Sequence, residues 1–268
     1  MSTDFTVPLE SPFPAAILTP PLADLRWRGD APCDPVTEPG HWFPHRDGVS
    51  TRSLTVDWSD GTLDVTVPLA AAPEDVELAL RIVRAAAEHA GTDVDTEYGP
   101  MAPDRLSEVF DEAWALDGLG RAVTLLARMS RRDDGVLSLP GPTRDVQLGP
   151  HTLPGLEHDD DRAHRLLETM RRVLWPDPRY EIATVFRATK DGERNTFVAL
   201  LPDRACLLPP STRLMLHDDD LLVLPRGALH RLPIDAVRLD DGNDLLEPVP
   251  AHRWPVVVAA ARASALPE

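Results

Sequence analysis

Proline places the strongest constraint on what this chain can fold into. The 268 residues include 28 prolines, and each proline fixes its own φ angle and lacks a backbone N–H group. Long uninterrupted helices are therefore disfavoured, and the sequence predicts many short elements joined by stiff loops. Prolines are dense in residues 1–48, which we predict to form an irregular arm with a strand at residues 5–9 or 15–18. The large apolar side chains of this arm need burial, which argues against disorder.

The clearest local pattern is a β-hairpin followed by a helix. Apolar residues alternate with polar ones in residues 53–58 and 63–67, and the Ser-Asp-Gly sequence at residues 59–61 is typical of a tight turn. Pro73 and the acidic residues after it begin a helix that ends at Gly91. We expect one face of the hairpin to pack against this helix. The side chains on that face are Leu54, Val56, Leu63 and Val65.

Helical periodicity predicts three more helices. Apolar residues recur every three or four positions in residues 103–116 and 120–130, and again between Asp161 and Pro176. In the first of these helices the acidic residues fall on the side opposite the apolar residues. The third follows three aspartates, which suit a helix N-terminus. The residues of the second helix that we expect to point inward are Val123, Leu126 and Met129.

The last third of the chain is rich in predicted strands. Residues 182–188 and 196–201 flank a Lys-Asp-Gly turn, and three shorter strands follow before a final helix. Because regular alternation of strands and helices is missing, the sequence predicts an α+β fold. In this fold an antiparallel hairpin and helices are followed by a mostly antiparallel sheet. We expect residues 49–268 to form the body, with a division into subdomains at 49–175 and 176–268.

Charge is the most informative part of the composition. The chain carries 44 acidic and 27 basic residues, for a net charge of −17. A surface this negative repels nucleic acids and anionic membranes, so we expect neither as a partner, and it attracts basic proteins. The cysteines, Cys33 and Cys206, are too far apart in sequence to suggest a disulfide framework or a zinc motif. Together with the lack of a membrane-length apolar run or a signal-peptide start, this predicts a cytoplasmic protein.

The sequence motifs for common cofactors are incomplete. A phosphate-binding loop needs a lysine after glycine, and the single lysine of the chain, Lys190, lies in a predicted hairpin turn. The segment that begins at Gly118 has valine where a dinucleotide fingerprint needs its third glycine. The sequence holds no G-x-S-x-G motif, and neither cysteine has a recognisable catalytic flank. The sequence therefore predicts no cofactor, and it favours a protein that is not an enzyme.

Two runs of histidine and aspartate leave an alternative open. His158 is followed by three aspartates and His164 at the predicted start of a helix, and His217 precedes three aspartates in a predicted turn. Imidazole and carboxylate groups both bind divalent ions, so these histidines are the candidate ligands of a metal-dependent hydrolase. The favoured interpretation is structural, with the first run capping a helix and the second forming a polar turn.

Residues 93–112 form the candidate binding site. Acidic residues alternate at the start of this segment, and further acids share the outer face of the helix predicted over residues 103–116. One interpretation is a solvated helix face, and the other is a docking patch for a basic protein. The candidate residues are Asp93, Asp95, Glu97, Tyr98, Asp104, Glu108, Asp111 and Glu112.

Four groups of turn and packing residues carry a family resemblance. They are LSLPGP (137–142) with LGP (148–150), RVLWPDP (172–178), LLPD (200–203) with LPP (208–210), and the hairpin turn WSDG (58–61). Together they resemble a family of uncharacterised bacterial proteins from actinobacteria and other high-GC genomes, over residues 50–265. Because these are turn and packing residues, the resemblance implies a shared fold and supplies no catalytic residues. The build is loosely similar to that of immunity proteins of bacterial toxin systems.

These observations lead to two expectations from different classes of protein. The first is a non-enzymatic acidic binding protein, such as an immunity protein that neutralises a basic toxin domain. The carboxylates of such a protein complement a basic active site and block it. The alternative is a metal-dependent hydrolase built on His158, His164 or His217 with nearby aspartates.

Overall fold

The computed structural model describes residues 2–9, 40–133, 135–190, 193–217 and 220–264. The chain divides into two units, Met1–Trp175 and Pro176–Glu268. Helices and mostly antiparallel strands occur in both units, so the predicted α+β class is confirmed. Within the described ranges, no helix combines the length and the apolar composition that crossing a membrane requires.

A six-stranded antiparallel sheet forms the β-layer of the first unit. Its strands are β1 (Thr3–Pro8), β2 (Gly40–Trp42), β3 (Thr55–Ser59), β4 (Thr62–Val67), β5 (Val94–Thr96) and β6 (Gly99–Met101). They lie in the order β2-β3-β4-β1-β5-β6, which places β1 in the interior, between β4 and β5. The strand predicted at residues 5–9 therefore belongs to the sheet. The alternative strand at residues 15–18 lies outside the described residues, as does most of the predicted arm.

The predicted hairpin and helix are confirmed. Asp60 and Gly61 have φ angles of 49° and 79°, which a two-residue turn between β3 and β4 requires. Helix α1 (Pro73–Ala90) ends at Gly91 in the left-handed conformation, with φ 67°. The hairpin side chains expected to face this helix are buried in one core with it. They are Leu54, Val56, Leu63 and Val65.

The structure contradicts the single helix predicted over residues 103–116. A 3₁₀ turn at Pro103–Arg105 leads into a short helix, α2 (Leu106–Val109). The chain leaves the helical region at Phe110, with φ −101° and ψ 58°, and helix α3 (Glu112–Asp133) begins directly afterwards. Both helices bury apolar residues in the same core. The apolar spacing therefore continues across the break, and periodicity alone does not reveal it.

Helix α3 is 22 residues long and includes the helix predicted over residues 120–130. Val123 and Leu126 are buried as expected. Met129, which was expected to point inward, is 42% exposed. The inner position at this end of the helix is taken by Ser130, which is buried and donates a hydrogen bond to the Gly135 carbonyl oxygen at 2.7 Å.

The rest of the first unit is a strand pair followed by two helices, of which only the second was predicted. Strands β7 (Leu137–Pro140) and β8 (Asp145–Leu148) pair antiparallel around a proline-glycine turn at residues 141–144. A short helix, α4 (Leu153–Glu157), precedes helix α5 (Arg162–Leu174). The apolar face of α5 is buried as its periodicity predicts, except at Ala163, which is half-buried; its buried residues are Leu166, Leu167, Met170, Val173 and Leu174.

Replacing Gly141 by alanine is expected to destabilise the first unit by about 2–3 kcal/mol. A Cβ atom at Gly141 would lie 2.3 Å from Leu174 Cδ2 and 2.6 Å from the Arg144 carbonyl oxygen. The backbone cannot move away freely, because Gly141 N donates a hydrogen bond to that same carbonyl at 3.0 Å. Urea denaturation measures the loss.

The matched control for this turn is Gly155→Ala in α4. Apart from its chain neighbours and the backbone of its own helix, no described atom lies within 4 Å of a Cβ added at Gly155, and alanine favours the helix by about 1 kcal/mol relative to glycine. The control should therefore be as stable as the wild type or slightly more stable. An equal loss of stability for Gly141→Ala and Gly155→Ala would contradict the close packing of the turn.

Two four-stranded sheets make up most of the second unit. Its strands are β9 (Glu181–Ile182), β10 (Val185–Lys190), β11 (Glu193–Leu200), β12 (Cys206–Leu208), β13 (Arg213–His217), β14 (Leu221–Pro225), β15 (Ala236–Arg238) and β16 (Asp244–Leu246). They lie in the orders β10-β11-β13-β14 and β15-β16-β12-β9. The pairs β11–β13 and β9–β12 are parallel, and the other pairs are antiparallel. A 3₁₀ helix at Arg226–Arg231 lies between β14 and β15, and a second one at Ala251–Arg253 leads from the last strand into helix α6 (Trp254–Ser264).

Candidate binding surface

Tyr98 lies in the turn of the hairpin formed by β5 and β6. Thr96 holds this turn closed, because its hydroxyl accepts a hydrogen bond from Tyr98 N at 3.1 Å and donates one to the Gly99 carbonyl at 2.8 Å. Gly99 has a φ of 93°, a conformation that residues with a side chain rarely adopt. The Tyr98 side chain is 61% exposed. The turn therefore holds an aromatic side chain out in solvent.

An aromatic cluster fixes Tyr98 from one side. The centroid of the Tyr98 ring lies 5.7 Å from that of Phe110, and the Phe110 ring meets the Trp114 ring edge-on at 5.1 Å. The indole N–H of Trp114 donates a hydrogen bond to the Tyr98 hydroxyl oxygen at 3.4 Å. Phe110 is buried against Phe5, with ring centroids 4.9 Å apart. Tyr98 is thus attached to the core, and ordering it in a complex costs little entropy.

The structure places all eight candidate residues at the surface, since each carboxylate of the set is exposed and so is Tyr98. The shared helical face expected for Asp104, Glu108 and Asp111 is wrong, because α2 and α3 are separate helices. The acids are brought to Tyr98 by two other features. Asp95 and Glu97 lie in its own hairpin, and Asp111 and Glu112 lie within three residues of Trp114.

Two of these acids have structural roles. Asp111 Oδ1 accepts a hydrogen bond from Trp114 N at 2.8 Å and so caps the N-terminus of α3. Glu108 pairs with Arg105 at 3.4 Å, an exposed contact of the kind that contributes about 0–1 kcal/mol. No described residue forms an ion pair or side-chain hydrogen bond with Asp95, Glu97 or Glu112. These three carboxylates are the ones best placed to meet a partner.

A groove of about 360 Å³ borders the aromatic cluster. One wall is the chain at residues 67–71, which connects β4 to α1, and the other is helix α3 between Trp114 and Leu125. The lining is mainly apolar, with Glu97 and Arg121 as the charged residues. The surface around Tyr98 therefore combines an exposed ring, free carboxylates and an apolar depression.

The negative charge of the chain is concentrated in the first unit. Residues 1–175 contain 30 acidic and 16 basic side chains, whereas residues 176–268 contain 14 and 11. Residues 93–112 alone contain seven acids and a single basic side chain, that of Arg105. Tyr98 thus lies in the most acidic segment of the more acidic unit.

The histidines of the metal alternative are distributed over both units. His158 Nδ1 lies 2.7 Å from the Pro154 carbonyl oxygen, and His164 Nδ1 lies 2.5 Å from Asp161 Oδ1. His217 is exposed at the end of β13, in the second unit. In the part of the chain that the structure describes, no three His, Cys, Asp or Glu residues form a group that could hold a metal ion. Residues 218 and 219 lie outside that part, so the hydrolase alternative stays a prediction.

A buried carboxylate at the start of α1 is a feature that sequence reasoning missed. Asp75 is fully buried, and its Oδ2 accepts hydrogen bonds from Thr51 N, Thr51 Oγ1, Arg52 N and Ala72 N at 2.9–3.1 Å. Burial raises the pKa of the Asp75 carboxyl, and the nearby Ser50 hydroxyl and the backbone donors oppose that rise. The available signal was an acid in the first turn of a helix, a position that the helix dipole also favours for an exposed acid.

Comparisons with protein-family models, curated proteins and solved structures gave no match for this chain. The resemblance to an actinobacterial family and the similarity in build to immunity proteins therefore stay predictions.

Proposed function

We propose that the chain is a non-enzymatic binding protein whose first unit binds a basic protein through the surface around Tyr98. The observation that carries this proposal is Tyr98 itself, which is 61% exposed and held in place by Phe110 and Trp114. Tyrosines fixed by packing are frequent hot spots of protein interfaces. The carboxylates of Asp95 and Glu97 beside it attract and orient cationic groups. An immunity protein that covers the basic site of a toxin domain fits this description.

Long-range attraction and short-range contact have different origins on this surface. The excess of acids in residues 1–175 creates a negative field that raises the rate of encounter with a cation and weakens with added salt. Once the partner has docked, the Tyr98 ring contributes apolar area and a face for cationic groups. Salt should therefore slow association, whereas loss of the ring should speed dissociation.

Charge reversal beside Tyr98 tests the proposal. The probe is an oligolysine peptide of about ten residues, titrated calorimetrically at low salt. The double variant Asp95→Lys/Glu97→Lys is expected to weaken binding by about tenfold or more, because it replaces attraction by repulsion at the site itself. Both side chains are exposed, so the fold should be retained.

The matched control changes the net charge by the same amount elsewhere. Glu193→Lys/Asp235→Lys reverses two exposed acids of the second unit and is expected to weaken binding by less than about twofold. If both double variants lose the same affinity, the peptide responds to net charge alone and the surface around Tyr98 is not a binding site. Tyr98→Ala is a third variant, for which we expect faster dissociation.

A further inference from the structure

Helix α3 exposes an apolar stripe that continues from the aromatic cluster. Residues three, four or seven positions apart lie on the same side of a helix, and the stripe follows this spacing. Leu125 is 39% exposed and Met129 is 42% exposed. At a rise of about 1.5 Å per residue, the stripe is about 22 Å long. Its members are Trp114, Gly118, Leu125 and Met129, and the exposed side chain of Arg121 lies on the same side of the helix between Gly118 and Leu125.

The groove beside this stripe has room for inserted side chains. It has a volume of about 360 Å³ and lies between α3 and residues 67–71. Gly118 lines it, and a side chain added there has room, because the nearest atom to an added Cβ outside the chain neighbours and the backbone of α3 is Arg121 Nη2, at 4.0 Å. Leu125 and Ala122 extend the apolar lining along α3. A partner can therefore bury apolar side chains here as well as place charges at the rim.

The charges around the groove give the occupant a chemistry and a direction. Glu97 lines the groove and Glu112 is exposed at the start of α3, while Arg121, which also lines the groove, is paired with Asp117. Arg128 and Arg132 are exposed beyond the other end of the groove. Charge complementarity therefore favours a ligand whose cationic residues lie towards Tyr98 and whose far end carries no positive charge.

We propose that this groove binds an amphipathic α-helix of the basic partner. Leucine-type side chains of that helix enter the groove, and its lysine or arginine residues lie towards Glu97 and Glu112. The inference rests on the proposed function and specifies the form of the partner. Binding of an amphipathic helix in an apolar groove uses side chains at positions i, i+3, i+4 and i+7, and the stripe on α3 is as long as a helix of about 15 residues.

Three synthetic peptides of equal length, each of about 15 residues, provide the test. The first has leucines on one helical face and lysines at one end. The second has the same composition with the leucines distributed around the helix, and the third is oligolysine. We expect the wild-type protein to bind the first peptide about tenfold more tightly than the second, because only the first presents its apolar residues together.

Gly118→Leu tests whether the groove is responsible. The leucine side chain fills the groove, and leucine suits a helix better than glycine by about 0.8 kcal/mol, so the variant should fold. Its affinity for the first peptide is expected to fall to that for the second, with oligolysine binding unchanged. Gly155→Leu adds the same side chain on α4, where the added Cβ contacts nothing beyond its chain neighbours and its own helix backbone, and should leave all three affinities unchanged.

The outcomes separate this inference from the proposed function. The proposal that the groove binds a helix would be overturned if the wild type bound the two leucine peptides with equal affinity, or if Gly118→Leu bound the first peptide as tightly as the wild type does. Oligolysine binding that depends on Asp95 and Glu97 would still support the proposed function in that case. Failure of all three peptides to bind would overturn both. A wild type that sediments as a dimer beside a monomeric Gly118→Leu variant would assign the groove to a second copy of the chain and overturn the inference.

Discussion

Replacing Asp75 by alanine is expected to lower the free energy of unfolding by about 3–5 kcal/mol. The carboxylate accepts hydrogen bonds from three backbone N–H groups and from the Thr51 hydroxyl. Alanine leaves these donors without their acceptor at a fully buried position, and an unpaired buried donor costs about 1–3 kcal/mol. Urea denaturation followed by tryptophan fluorescence measures the loss. A midpoint close to that of the wild type would contradict this account of the buried cluster.

Asparagine at position 75 is the matched control, because its side-chain oxygen accepts the same hydrogen bonds without a charge. Asp75→Asn should therefore lose much less stability than Asp75→Ala. The pair separates the contribution of the acceptor from that of the negative charge.

The dependence on pH gives a second measurement on the same residue. Burial raises the pKa of Asp75 in the folded protein. Protonated Asp75 therefore contributes to the free energy of unfolding, and this contribution is fully present below about pH 4, the pKa of an aspartate in the unfolded chain. It is lost as the pH rises through the higher pKa that Asp75 has in the folded protein. The stability of the wild type relative to Asp75→Asn should fall over that window. A relative gain with rising pH would mean that folding lowers the pKa instead.

Val65→Asp is expected to cost about 3–5 kcal/mol of stability. Val65 is fully buried in β4, where it pairs with Phe5 of β1 on one side and Val56 of β3 on the other. A carboxylate at this position has no cationic partner in the apolar core that includes these residues. Thermal or urea denaturation tests the loss, which should appear as a lower midpoint.

The control for this substitution places the same aspartate in the same hairpin at an exposed position. Ser59 ends β3 and is exposed, so Ser59→Asp should change stability by no more than about 0.5 kcal/mol. A wild-type midpoint for Val65→Asp, or an equal loss in both variants, would show that the buried face of the hairpin does not decide stability.

Sequence patterns predicted the elements whose cause is local. The hairpin around Asp60 needs only alternating apolar residues and a turn, and α5 needs only an apolar stripe with suitable ends. The break at Phe110 was not predicted, because Leu106, Phe110 and Trp114 have the spacing of one continuous helix. Asp111 was the available signal, since an aspartate can cap a new helix. An aspartate on the outer face of an unbroken helix gives the same sequence.

The candidate site was predictable in its charges and not in its shape. Carboxylates stay in water unless they are paired, so the exposure of Asp95 and Glu97 follows from their chemistry. The contacts of Tyr98 with Phe110 and Trp114 depend on how one hairpin packs against two helices. The groove lies between residues 67–71 and α3, and its width depends on that packing. Periodicity reports which face of an element is apolar, but it does not report which distant element covers that face.

The interior position of β1 also affects how the chain reaches its folded state. Thr6 pairs with Asp64 of β4 and Asp95 of β5, so β1 is synthesised long before either partner. Phe5 and Val7 are fully buried in the folded protein, but their side chains stay exposed until β4 and β5 have been synthesised. Pairings between distant residues incur loop-closure entropy before their contacts form. We therefore expect insertion of β1 to be the slow step in the folding of this sheet. While β1 is unpaired, aggregation competes with formation of the native sheet.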